Sequence, residues 1–232
     1  MPIWGMDAVS IDQLDPSARL VLVTGACALL AVAVDRVWLR ARNVVTIVHE
    51  GGHAVAAVLT GRRLTGIRLH SNTSGLTLSV GKPRGPGMVV TTAAGYVSPS
   101  LVGLVGVVLL AFDQVTVMLW AGTAVLAAML VMVRNLFGVL ALVVTGGVVV
   151  AVSVLASPGV QAAFGHTMVW FLLLGAVRPV GELQRQRRRH PEWDSDADQL
   201  ARITRLPAAA WVALFGVVTL GALAAGSWLL LA

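Results

Sequence analysis

The chain has 232 residues, 57% of them hydrophobic and 12% charged, with a mean hydropathy of +0.83. A soluble domain of this length is far less apolar, so composition excludes one and points to an integral membrane protein. The formal charge of +6 would suggest an anionic partner in a soluble protein; here the place of each basic residue matters more, and no nucleic-acid module is visible.

In chain order, the opening MPIWGMDAVSIDQLDP has no basic region leading into an apolar core, so no removable signal is expected. Apolar runs follow at 18–34, 44–59, 88–112, 115–133, 136–155, 160–177 and 208–231. Most approach the ~20 residues needed to cross ~30 Å of hydrocarbon. The reading is an all-α polytopic membrane protein with about seven transmembrane helices, six as the lower bound. It forms a single integral membrane domain over 1–232, with a membrane-associated β-hairpin at 64–82 and a cytoplasmic basic and acidic loop at 178–207. The single cysteine, Cys27, lies in the first run, so no disulfide can form within the chain.

The second run contains VVTIVHEGGHAVAAVLTG, residues 44–61, which places two histidines and a glutamate in five positions of an apolar segment. Ionisable groups at that depth are costly and mark a pathway or a site. His49, Glu50 and His53 form H-E-x-x-H, and chance would produce this pattern about 0.001 times in a chain of this composition. On a helix, positions i and i+4 share a face, so both imidazoles can hold one zinc ion while Glu50 points at its open position. The alternative is a polar face lining a water-filled cavity. Gly51 and Gly52 weaken the helix but leave room beside the metal.

Next, Ile67 and Leu69 alternate with Arg68 and His70, then Leu76, Leu78 and Val80 with Thr77 and Ser79, around the turn SNTSG. That is a hairpin pattern, ended by GKPRGPG. The third run carries Ala94, Gly95, Ser98, Gly103 and Gly106, small residues suited to close helix packing. Asn135, in VRNLFG before the fifth run, could bind a substrate backbone or cap its helix. In 178–207, RQRRRH reads as an anchor at anionic lipid, and Ser195 or Asp196 can cap a short helix in which Leu200, Ile203 and Leu206 share a face. Pro207 starts the last run.

Zinc needs a third protein ligand. Between residues 43 and 180 the only acids are Glu50 and Asp113. Seven alternating spans and the positive-inside rule place the N-terminus in the cytoplasm, with Arg36, Arg40 and Arg42 outside and the other fourteen basic residues inside. On that topology Asp113 faces outward, and the candidates are Asp194, Asp196 and Asp198, of which Asp196 is preferred because it starts a helix leading to the last span. A surface cap is its competing role. His70 and His166 are further candidates.

HEGGH on an early membrane helix, followed by a hairpin and further spans, resembles the site-2-protease class of intramembrane zinc metallopeptidases, peptidase family M-fifty. The later SDADQLARITRLP is similar to the tail of a divergent bacterial B-like branch. The resemblance implies one Zn²⁺ held by His49, His53 and a distant aspartate, with Asp196 in that role, and Glu50 as the general base acting on water. It implies a hairpin that holds the substrate strand, with Gly52 and Asn135 in substrate-binding roles, since RNLFG is similar to the Asn-containing stretch of the class. The usual Asp-Gly motif is missing. The expected activity is endoproteolysis of a membrane-spanning or membrane-adjacent protein, in a multi-pass protein of a bacterial plasma membrane, with the lipid bilayer as its other partner. A non-catalytic metal-binding or regulatory protein of the same fold is the alternative, and an ion transporter is disfavoured by the scarcity of acids across the spans.

Overall fold

The computed structural model describes residues 15–189 and 194–232. The opening segment before Asp15, and His190 and Glu192 of the expected loop, lie outside the described residues. Helix α1 (Pro16–Ala33) is opened by Asp15, whose side chain accepts from the Ser17 N–H, with proline at the first helical position. A single extended residue, Val34, separates it from α2 (Asp35–Leu59). Strands β1 (Arg63–Leu69) and β2 (Gly75–Val80) follow, then α3 (Pro86–Ala111), α4 (Val115–Met132), α5 (Leu136–Leu155), α6 (Pro158–Arg189), α7 (Asp196–Ile203) and α8 (Ala208–Leu231).

Among the described residues, six helices, α1, α3, α4, α5, α6 and α8, are long and apolar enough to cross a membrane. Close contacts give their directions. Gly25 packs on Trp170, and Arg178 Nη1 donates to the Val32 carbonyl, so α1 runs parallel to α6. Gly103 meets Leu173 and Gly165 approaches Leu110, so α3 runs antiparallel to α6. Tyr96 stacks on Phe215, and Gly226 lies near Leu104 and Val107, so α8 runs parallel to α3. The end of α1, the start of α3, the end of α6 and the start of α8 therefore share one face of the molecule.

Helix α2 both begins and ends at that face. At its start Arg178 pairs with Asp35, Trp38 Nε1 donates to Glu182 Oε1 at 3.0 Å, and Arg42 pairs with Glu182 at 3.2 Å. At its end the Thr60 hydroxyl reaches the Gly87 carbonyl in the first turn of α3. The helix leans into the bundle without alternating with the six others. Its charged first half, which would be costly in hydrocarbon, stays at the end of the bundle where α6 supplies partners. Arg36, Arg40 and Arg42 consequently lie on the same face as the other basic residues except Arg19, and the separation of these three expected from seven alternating spans does not occur. Helix α6 also continues through residues expected to form a loop, reaching Arg189.

The hairpin pairs Ile67 with Thr77 and Leu69 with Gly75, and Thr73 takes a positive φ of 65° in the turn. Buried Ile67 and Leu69 pack with Ile47, Ala54, Met129, Val133 and Leu142, which fixes the hairpin to α2, α4 and α5. On β2 the pattern is inverted relative to a soluble sheet. Leu76, Leu78 and Val80 are exposed, while Thr77 bonds to Glu50 of α2 and Ser79 accepts from Arg62. The outer edge of β1 is taken: the Arg134 N–H donates to the Ile67 carbonyl at 2.9 Å, and Asn135 bonds to both backbone groups of Leu69. Among the described residues, the outer edge of β2 has no strand partner.

Candidate active site

The site is built on one turn of α2. His49 and His53 place their Nε2 atoms 3.1 Å apart. His53 Nδ1 lies 2.7 Å from the Thr91 carbonyl of α3, an acceptor, so in the neutral ring Nδ1 carries the proton and Nε2 keeps its lone pair. A carbonyl partner of this kind orients metal-binding imidazoles. Helix α3 can come this close because residue 95 has no side chain: a Cβ there would stand 2.6 Å from His49 Nε2 and press on His53 Nε2 as well.

Asp196 arrives from the far end of the chain. Its Oδ2 lies 3.3 Å from the Nε2 atoms of both His49 and His53, and it is buried without a hydrogen-bond donor. Helix α7 holds it there. Ser195 caps the helix in a reciprocal box with Asp198, so the N-cap is Ser195 and not Asp196. Arg187 pairs with Asp198 at 2.9 Å, Thr92 donates to Gln199, and Trp211 Nε1 donates to Thr204. Buried Ala197 and Leu200 pack with Val180, Leu183, Trp211 and Phe215. Although burial opposes its charge, hydrogen bonds from Ser195 and Arg187 hold the Asp198 carboxyl below the usual carboxylate range.

Of the three aspartates left open by the sequence, only Asp196 is brought to the histidines. Asp194 is exposed and pairs with Arg202, and Asp198 serves α7 itself. His70 bonds to Ser74 in the hairpin turn and His166 to the Ala162 carbonyl within α6.

Two imidazole nitrogens and a carboxylate oxygen separated by 3.1–3.3 Å need a shared proton or a metal ion among them to offset the repulsion of their lone pairs. A tetrahedron drawn around zinc with bonds of about 2.0–2.1 Å has edges of about 3.3 Å. The donor set, its spacing and the unpartnered Asp196 oxygen fit a zinc ion with three protein ligands and one position open.

Glu50 stands beside this set. One donor atom each from His49, Glu50 and His53 fall within 4.8 Å of one another. Glu50 is buried, and its Oε2 accepts from the Thr77 hydroxyl at 2.6 Å. Gly75 lets β2 pass over it, since any Cβ there would collide with the glutamate side chain.

The other residues read from the sequence take different places. The room at Gly52 is filled by Ser98 of α3, and at Gly51 by Met129 of α4. Asn135 uses both ends of its amide on Leu69, the Nδ2 donating at 2.6 Å and the Oδ1 accepting at 3.1 Å, which makes it a clamp on β1. The sequence reading passed over Gly75, Thr77, Thr91 and Tyr96 and took Gly95 as a packing residue. Gly75, Gly95 and Thr91 act through bare backbone or a carbonyl, and Thr77 and Tyr96 through contacts with residues distant in the chain; the one available signal was Gly75 closing SNTSG.

No curated protein and no solved structure matches the chain. The model of the family Peptidase M50B-like matches residues 22–226, a span that runs from α1 into α8 and takes in the histidines, the hairpin and α7. The chain belongs to the Peptidase M50B-like family.

Proposed function

We propose that this protein is a zinc-dependent intramembrane endopeptidase that hydrolyses a peptide bond of a membrane-spanning or membrane-adjacent protein. The observation that carries the reading is the meeting of the Asp196 Oδ2 with both imidazole Nε2 atoms beside a buried glutamate. His49, His53 and Asp196 would hold the ion, which when bound supplies a Lewis acid that polarises a carbonyl and makes water more acidic.

The remaining chemistry belongs to the chain. Glu50, steadied on one oxygen by Thr77, accepts a proton from the attacking water and delivers it to the leaving amine as the C–N bond breaks. Strand β2 packs against Glu50 through Gly75 and Thr77, and its open edge offers backbone groups to an extended substrate segment, in the manner of strand addition. A peptide bond held as a strand is already unwound from the helix in which a membrane segment arrives. The exposed apolar face of Leu76, Leu78 and Val80 suits a hairpin at the lipid interface.

The same reading sets the orientation. With α2 not crossing, all basic residues but Arg19 lie at the hairpin face, so the positive-inside rule makes that face cytoplasmic. The N-terminal end of α1 then lies on the opposite side, the reverse of the orientation expected from seven spans. The site then lies nearer the cytoplasmic side.

The test is Glu50→Gln in purified, zinc-loaded protein with a panel of membrane-spanning substrates. Zinc content is expected to stay at one ion per chain while cleavage is abolished. Wild-type protein that holds zinc and cleaves nothing would favour a regulatory role.

A further inference from the structure

We propose that Tyr96 is a catalytic residue, whose phenol donates a hydrogen bond to the scissile carbonyl oxygen as it becomes an oxyanion. This rests on the peptidase reading and adds to it a group outside the HExxH helix. Tyr96 follows Gly95, the residue whose bare backbone lies against both imidazoles. Its ring meets the His49 ring edge-on with centroids 4.9 Å apart, and stacks on Phe215 of α8 at 5.0 Å with 15° between the planes. Phe215 is fully buried, so the stack holds one face of the ring against a fixed neighbour.

A phenylalanine would make the same two ring contacts. What tyrosine adds is a hydroxyl, and among the described residues it has no hydrogen-bond partner. Tyr96 is only half-buried and its hydroxyl is not among the buried unpartnered atoms, so it faces accessible space where water or a bound ligand supplies the bond. The partner that fits here is one that appears during the reaction. Other polar groups near the metal ligands are already engaged: Thr91 with the Gly87 carbonyl, Ser98 with the Ala94 carbonyl, Thr77 with Glu50.

In the proposed step the water oxygen bonds to the carbonyl carbon and Glu50 takes its proton. The carbonyl electron pair moves onto oxygen, where the Tyr96 O–H donates. On collapse the C=O re-forms, the C–N bond breaks, and Glu50 returns the proton to nitrogen. Tyr96 keeps its proton throughout. It acts as an electrostatic donor, a class of contact worth on the order of 10²-fold in turnover.

Tyr96 is the chain's one tyrosine, so fluorotyrosine labelling gives a single ¹⁹F signal that reports on this site alone. The experiment uses full-length, zinc-loaded wild-type protein and Tyr96→Phe. It compares acetyl-Leu-Leu-amide with the matching pseudopeptide in which a tetrahedral phosphinate replaces the scissile amide. Expected are unchanged zinc content and thermal midpoint in Tyr96→Phe, unchanged affinity for the amide, and phosphinate binding weakened roughly 10- to 100-fold. In fluorotyrosine-labelled protein the signal moves with the phosphinate and not with the amide. Equal phosphinate affinity in the two proteins, or zinc lost from Tyr96→Phe, overturns the role of Tyr96. Zinc-loaded wild-type protein that binds no phosphinate overturns the peptidase reading instead.

Discussion

Gly95 and Gly75 lie against different members of the site, Gly95 under the two imidazoles and Gly75 against the Glu50 side chain. Their alanine variants should therefore fail differently. Gly95→Ala drives a methyl group into both Nε2 positions, so zinc measured by atomic absorption should fall below one-tenth of an ion per chain. Gly75→Ala leaves the histidines and Asp196 untouched and displaces Glu50, so zinc stays bound while turnover falls about 100-fold or more, on the scale of a lost acid-base group. Asp196→Ala should release zinc, whereas Asp194→Ala, which removes only an exposed pair with Arg202, should not. His49, Glu50 and His53 were legible in the sequence because their spacing is itself the chemistry. Asp196 was preferred among three nearby acids because it starts a helix leading toward the last span. What the sequence did not disclose was the capping geometry of α7, which assigns the cap to Ser195 and turns the next residue inward.

At the scale of elements, α7 brings Asp196 to the histidines and the hairpin covers Glu50, and each is held by a few polar contacts. Ser195→Ala removes one side of the capping box and should cost about 1 kcal/mol of stability, with weakened zinc retention in a competition assay against a chelator. Asn135→Ala leaves the Leu69 N–H and carbonyl without their partners, at a cost of about 1–3 kcal/mol. Hydrogen exchange at Ile67 and Leu69 should accelerate while exchange within α8 does not. Period-two alternation disclosed both strands, and the turn residues disclosed their break. Which face of β2 would turn outward was hidden, because apolar residues facing lipid and apolar residues facing a core make the same pattern. The continuation of α6 to Arg189 was hidden for a related reason: the basic residues that end an apolar run also suit the last turns of a helix.

For the whole molecule, the decisive element is a helix that returns to the side from which it started. In a Cys27→Ala background, Arg40→Cys, Arg84→Cys and Arg188→Cys should all react with an impermeant thiol reagent from one side of a sealed vesicle, and Ser157→Cys from the other. Labelling of Arg40→Cys together with Ser157→Cys would restore seven alternating spans and sink the orientation proposed above. The apolar runs located in the sequence each of the six described helices long and apolar enough to cross. They also suggested a seventh, because hydropathy counts residues without knowing whether the charged half of α2 has partners at the end of the bundle. His49 and Asp196 are separated by about 150 residues of chain, so one ion gripping both would close a ring containing the hairpin and four of the crossing helices. Cutting a ring of that size releases a loop-closure constraint that varies only slowly with length. A chelator should accordingly leave the bundle standing and loosen the short helix α7 first, so that zinc supply would set how firmly that one segment is held.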